Sequence, residues 1–347
     1  MTPIAFNKEG PSKFRRKMVS KFKPGNRARL LAHHITIKEK HMMKPIQQTV
    51  PQLRPEMHRP MYTELEIEYD EDYRLAWYYM DAKPRPCCTP TLISEFQQWY
   101  DELISPSCPH AVRYIVLASK VPGVFNLGGD LNLFIELIRK GDREGLTHYA
   151  TSCIDTLFLH YTHLGKDITT ISLVQGDALG GGMEYAISSD VLIAERSAKM
   201  GMPEILFNLF PGMGAYSLLS RKIGAVEAER MILGGCLYSA EKLHEMGIVD
   251  VLAEDGQGEQ AVLDYVHKEE RARNGYRAFR QAKQYCNPVT YEELKNITTA
   301  WVDAALRLEE KSLRMMERIV SRQFARSHRS QKPVELKGIV ASRSKAF

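Results

Sequence analysis

The sequence predicts an α/β fold with a helical C-terminal region. Short apolar strands alternate with amphipathic helices, two strand-to-helix junctions are dense in glycine, and helical periodicity takes over from residue 258. Residues 63–69 alternate polar and apolar side chains, and residues 74–80 follow across Asp70-Glu71-Asp72, the pattern of an antiparallel hairpin. Leu92, Phe96, Trp99 and Leu103 have the spacing of one helix face, so residues 91–104 are predicted helical. The apolar run 113–119 predicts a buried strand entering a loop with Pro122, Gly123, Gly128 and Gly129. Helices are predicted over 131–139 and 146–163. A second strand over 169–174 leads to Gly180-Gly181-Gly182, and a third covers 191–195, followed by a short connection to Pro203. Helices over 215–222, 226–233 and 240–246 and an apolar stretch at 249–252 complete the core. Beyond Gly258 the pattern is helical, with Pro288 starting one helix and residues 306–324 forming another.

The chain has 347 residues, 44% hydrophobic and 26% charged, a composition that supports a globular core and excludes disorder of the whole chain. No apolar run approaches the ~20 residues of a membrane-crossing helix. The first residues lack the apolar stretch and small-residue cleavage site of a secretory signal, so a cytoplasmic location is expected. The net charge of +5 is uneven: residues 1–44 carry +10 and residues 311–347 carry +8, leaving −13 between them. The expected organisation is a basic N-terminal extension (1–60), an α/β core (61–255), a helical region (256–325) and a basic tail (326–347). The arm, with Lys13, Arg15, Arg16 and Lys17, reads as a solvated tail broken by Pro11, Pro24 and Gly25, the alternative being contact with a partner or an acidic surface. No nucleic-acid partner is expected. His33, His34 and His41 lack the i, i+4 spacing of a helical metal pair. Cys87, Cys88, Cys108, Cys153, Cys236 and Cys286 contain no C-x-x-C pair and are expected as reduced thiols, most of them buried.

Chemistry concentrates at the two glycine junctions, Phe125-Asn126-Leu127-Gly128-Gly129-Asp130 and Gly176-Asp177-Ala178-Leu179-Gly180-Gly181-Gly182-Met183-Glu184. A helix start has unsatisfied N–H donors, and glycine lets a reacting group approach the backbone, so two such junctions can stabilise a developing negative charge. Tight turns and close helix packing would also explain the glycines. No G-x-x-x-x-G-K-[ST] or G-x-S-x-G occurs, which removes a phosphate loop and a serine nucleophile elbow. Glu184 and Glu204 supply carboxylates that can pair if the chain returns through strand 191–195; either alone could merely favour a helix start.

The strings FNLGGDL, VQGDALGGGMEYAISSDVLIAE and MPEILFNLFPGMGAYSLLSRKIG resemble the crotonase (enoyl-CoA hydratase/isomerase) superfamily, and most of all its diffusible signal factor synthase branch. The resemblance covers roughly residues 62–320. It implies a spiral of ββα units, assembled as a trimer or a dimer of trimers. It further implies oxyanion N–H groups from Gly129 and Gly181, catalytic acids at Glu184 and Glu204, and a substrate contact at Trp301. The acyl chain needs an apolar tunnel, for which the segment 202–213, beginning at Met202, and the helices around Trp301 are candidates; Leu127 is placed with them. The branch implies dehydration of a 3-hydroxyacyl thioester, carried on acyl carrier protein or coenzyme A, followed by hydrolysis to a free cis-2-unsaturated acid. Glu204 would handle protons at the substrate carbons and Glu184 would position the hydroxyl or water. The scheme needs no metal or redox cofactor. A sensor protein restraining the enzyme is a further implied partner. The alternatives are an ordinary enoyl-CoA hydratase and a non-catalytic interaction module that keeps the fold.

Overall fold

The computed structural model describes residues 62–330, with side chains to residue 323. The basic arm with Lys13, Arg15, Arg16, Lys17, His33, His34 and His41 lies outside the described residues, as does the tail beyond 330. The hairpin forms from β1 (Leu65–Asp70) and β2 (Leu75–Met80), and α1 (Pro90–Ile104) follows, its first turn capped by the Thr89 hydroxyl, which accepts from Leu92 N–H at 3.0 Å. Then come β3 (Tyr114–Ser119), β4 (Val124–Asn126), α2 (Leu131–Lys140) and α3 (Arg143–Tyr161). The next unit is β5 (Thr169–Val174), β6 (Asp177–Leu179) and α4 (Gly181–Ser188). After it come β7 (Val191–Glu195), β8 (Lys199–Gly201), a 3-10 turn (Pro203–Phe207), α5 (Ala215–Ile223), α6 (Ala225–Gly234), β9 (Leu237–Ser239), α7 (Ala240–Glu245) and β10 (Val251–Ala253). The described residues close with α8 (Gly258–Glu270), α9 (Arg273–Cys286), α10 (Tyr291–Ala305) and α11 (Glu310–Ser330).

Two sheets result. The larger has the order β1-β2-β3-β5-β7-β10 and is parallel from β2 onward; the smaller has the order β4-β6-β8-β9 and is parallel through β8. Each of β3, β5 and β7 therefore continues into a short strand of the second sheet before its helices, which is the ββα spiral expected for this fold. The inner strands β2, β3, β5 and β7 of the large sheet are buried on both faces, while the edge strand β1 exposes Glu66 and Glu68. Alternate residues such as Tyr78, Ile115, Leu117 and Leu192 enter the main core, while Trp77, Val116, Leu173 and Ile193 meet Val262 and Val266 of α8. Double burial explains why the strands read as continuous apolar runs.

Three points differ from the sequence reading. The segments 124–126, 177–179, 199–201 and 237–239, expected as loops or connections, are three-residue strands, too short to show a period. Pro288 does not start a helix; α10 begins at Tyr291, where the Thr290 side chain accepts from Glu293 N–H. Three of the six cysteines, Cys87, Cys88 and Cys153, are buried, whereas Cys236 and Cys286 are exposed and Cys108 is intermediate. The helix α9 packs through its polar side: Arg280 bonds Glu269 at 2.8 and 3.0 Å, Arg273 bonds Asp167 at 2.9 Å and Gln284 meets His163 at 3.2 Å. Its apolar side, with Ala278, Phe279 (66% exposed), Ala282 and Tyr285 (77% exposed), faces outward.

Candidate active site

The strands of the small sheet deliver the site. The loop after β4 holds Gly128 and Gly129, the junction after β6 holds Gly180 and Gly181, and the turn after β8 holds Glu204. All five residues line one cavity enclosing about 740 Å³ of empty space, part of it open to solvent, together with Glu184. Its walls are mostly apolar, with Phe134, Leu209, Met213, Trp301 and Ile319 among them.

Backbone hydrogen bonding singles out the amide of Gly129. The N–H groups around it are taken: Leu127 donates to the Pro86 carbonyl at 2.8 Å, Gly128 to Asn126 Oδ1 at 2.8 Å, and Asp130 to the Tyr149 hydroxyl at 3.1 Å. The Gly128 carbonyl accepts from Cys88 N–H at 2.8 Å. Because the peptide is planar and trans, holding that carbonyl toward Cys88 aims the Gly129 N–H the opposite way. Gly129 N–H has no acceptor among the described residues. Gly181 opens α4, so its N–H is one of the helix-start donors without an intrahelical acceptor. A side chain on Gly181 would begin 3.5 Å from Gly129 N, so the two amides are neighbours.

The carboxyl groups sit in contrasting surroundings. Glu184, 1% exposed in the first turn of α4, accepts at Oε1 from Met213 N–H at 2.8 Å and Ala215 N–H at 2.9 Å. Gly214, between these donors, has φ +110°, a left-handed turn that lets both N–H groups converge on one oxygen. Burial raises the Glu184 pKa to about 7, against the pull of those two donors. Glu204 rests against Gly180, its Oε2 is buried without a hydrogen-bond partner, and burial together with the negative field of Glu184 raises its pKa to about 8. Glu184 holds two strong N–H donors from the 213–215 turn, whereas Glu204 feels only its own backbone N–H, so of the two carboxyl groups Glu184 is the better-stabilised anion and Glu204 the better holder of a proton.

Glu184, Glu204, Gly129, Gly181, Trp301 and Leu127 all line this cavity. Met202 does not: it is fully buried in the core one residue after β8, and the chain turns into the cavity only at Pro203. The Met213 and Ala215 amides, Asn126 and Phe134 were missed by sequence reasoning. The PGMG turn at 211–214 was a usable signal for the first pair, since glycines flanking one residue mark a turn that can present N–H groups. Phe134 packs beneath Gly129, where a side chain would begin 2.5 Å from its ring, and lies edge-on to Trp301 at 4.9 Å.

Comparison with known proteins bears on the family and the fold. The family description enoyl-CoA hydratase/isomerase matches residues 89–327. The fatty acid oxidation complex subunit alpha of Pseudomonas syringae pv. tomato is 30% identical over 168 residues, 48% of this chain and 23% of that protein. The chain thus spans about a quarter of the length of the curated relatives it matches. Among solved structures, the human mitochondrial delta3-delta2-enoyl-CoA isomerase superposes with a TM-score of 0.62 at 19% identity, covering 75% of this chain and 99% of that one. The enoyl-CoA hydratase from Bacillus halodurans gives 0.60 at 21%, covering 74% and 100%. These two likenesses concern the fold. The family match spans more than half of the sequence and contains the glycine junctions, both glutamates and Trp301; the chain belongs to the enoyl-CoA hydratase/isomerase family.

Proposed function

We propose that the chain dehydrates a medium-chain 3-hydroxyacyl thioester and hydrolyses the product to a free cis-2-unsaturated acid, with acyl carrier protein or coenzyme A as the carrier. The observation that carries the reading is the pair of buried carboxyl groups, one held by two N–H donors and the other with a buried oxygen that has no partner, lining an apolar cavity beside the Gly129 and Gly181 amides. Those amides would hold the thioester oxygen as it gains charge, each such donor being worth ~2.7–4 kcal/mol in a transition state. In dehydration Glu204 as carboxylate takes the C2 proton and the electrons pass into the thioester oxygen; they then return to form the C2=C3 bond as the C3–O bond breaks and the hydroxyl, protonated by Glu184 as acid, leaves as water. The step ends with the proton on Glu204 and the charge on Glu184, the carboxyl group that holds the two N–H donors. In hydrolysis Glu184 takes a proton from water, the water oxygen attacks the thioester carbonyl, and the C–S bond breaks as the sulfur takes the proton of Glu204. This second step rests on the resemblance of the glycine-junction strings to the signal synthase branch.

The same pair of carboxyl groups suits simple hydration of an enoyl thioester, which makes an ordinary hydratase the competing reading. Incubation with 3-hydroxydodecanoyl carrier protein separates the two. Free cis-2-dodecenoate in the mass spectrum is expected; thioester-bound trans-enoyl product alone would leave only the hydratase.

A homo-oligomer and the organisation into 1–60, 61–255, 256–325 and 326–347 belong to the same proposal. The outward apolar side of α9 supports the oligomer, since burying Phe279 and Tyr285 against another copy removes apolar surface from water at roughly 25 cal/mol per Å². The double variant Phe279→Glu/Tyr285→Glu is expected to lower the mass seen by light scattering; an unchanged mass would detach α9 from the interface.

A further inference from the structure

We infer that Asn126 is a positioning residue for the reaction: its side chain sets the direction of the Gly129 amide without touching substrate. The inference rests on the reading of Gly129 as an oxyanion donor. Asn126 ends β4 and is 2% exposed. Its Oδ1 accepts from Gly128 N–H at 2.8 Å and from Cys88 Sγ at 3.5 Å, and its Nδ2 reaches Met80 Sδ at 3.3 Å. Both contacts of Oδ1 are donors, so the amide orientation is determined by its neighbours. One oxygen thereby joins the two chain segments that hold the peptide between Gly128 and Gly129: Cys88, whose N–H grips the Gly128 carbonyl, and Gly128 itself. The backbone carbonyl of Asn126 also abuts Gly182, which ties the end of β4 to the first turn of α4.

The chemical consequence concerns choice between amides. Gly128 has φ +88°, a conformation only glycine adopts freely, so its flanking peptides are held by hydrogen bonds rather than by sterics. Without the Asn126 acceptor the buried Gly128 N–H is orphaned, and the loop gains by turning that donor toward an acceptor. The peptide that follows turns with it and carries the Gly129 N–H off the position where the thioester oxygen develops charge. The ground state, bound mainly through the acyl chain, feels this little. The transition state feels it fully, which is the signature of positioning.

The test compares Asn126→Leu, which removes the acceptor at similar volume, with Asn126→Asp, which keeps it. Two readouts apply: enoyl-thioester hydration kinetics, and the absorption of the bound dimethylaminocinnamoyl thioester of coenzyme A, whose band moves to the red when its carbonyl is polarised. Asn126→Leu is expected to lose kcat by about 100-fold with KM changed by less than about threefold, and to lose the red shift. Asn126→Asp is expected to keep the shift and recover most of kcat. A folded Leu variant with wild-type kcat and red shift overturns the inference. So does a folded Asp variant without the shift, which keeps the question decidable if the Leu variant does not fold. A wild-type protein that binds the probe with no red shift removes the oxyanion reading itself, a result distinct from either.

Discussion

Glu204→Gln is expected to lower kcat by about 10³-fold while making the protein more resistant to heat at pH 8. General acid–base catalysis contributes typically ~10²–10⁴-fold, and glutamine preserves the shape of the side chain while ending its proton exchange. The stability gain follows from the sign of the pKa shift. Burial and the neighbouring Glu184 charge hold the Glu204 proton to about pH 8, whereas the same group in the unfolded chain ionises near its ordinary value of 4.5. Between those values the unfolded chain releases a proton that the folded chain retains, so this group's contribution to stability falls as pH rises from about 4.5 through about 8. Glutamine has no such dependence. At pH 5 both side chains are neutral and both leave a polar atom without a partner, so the two melting temperatures should nearly coincide; at pH 8 the variant should melt higher. Calorimetry at the two pH values checks the stability and a hydration assay checks the rate. A variant that turns over like the wild type would remove Glu204 from the chemistry, and a melting difference that shrinks toward pH 8 would contradict its protonated state.

Gly128→Ala is expected to cost about 10²–10³-fold in kcat, the loss associated with one oxyanion donor. The added methyl would begin 2.8 Å from the Leu179 carbonyl and 3.1 Å from Gly181 N, both backbone atoms that cannot swing aside. It wedges the loop after β4 away from the start of α4, and those are the two segments that carry the paired amides. The φ of +88° adds backbone strain of roughly 1–3 kcal/mol. Gly141→Ala is the control. Gly141 caps α2 at φ +65° with open space around it, so alanine there is strained without meeting a neighbour. Both variants should lose stability, and only Gly128→Ala should lose turnover. Equal kcat values in the two would show that the spacing of the two junctions does not govern the rate.

Much of the scaffold was legible because its signals are local. The β1–β2 hairpin shows its alternation, α1 its helical spacing, and β3, β5 and β7 their apolar runs, each within a few residues of the observed limits. The short strands β4, β6, β8 and β9 were not legible. Three residues cannot express a period, and these become strands only because partners from distant sequence supply their hydrogen bonds. α9 follows the helical pattern expected beyond Gly258, but which side of it packs was decided by the tertiary structure, which turns the apolar side outward and anchors the arginines in Asp167 and Glu269.

The residue types at the site were determined by the sequence alone: two glutamates and two glycine-rich junctions in a fixed order, with a tryptophan downstream. Direction and charge belong to the tertiary structure. Cys88, 41 residues before Gly129, grips the peptide that aims the amide, and Met213 and Ala215, about 30 residues after Glu184, supply the donors that separate one carboxyl from the other. A pKa and an N–H direction depend on burial and on which groups lie within hydrogen-bond reach, and such neighbours exist only once remote segments have packed together.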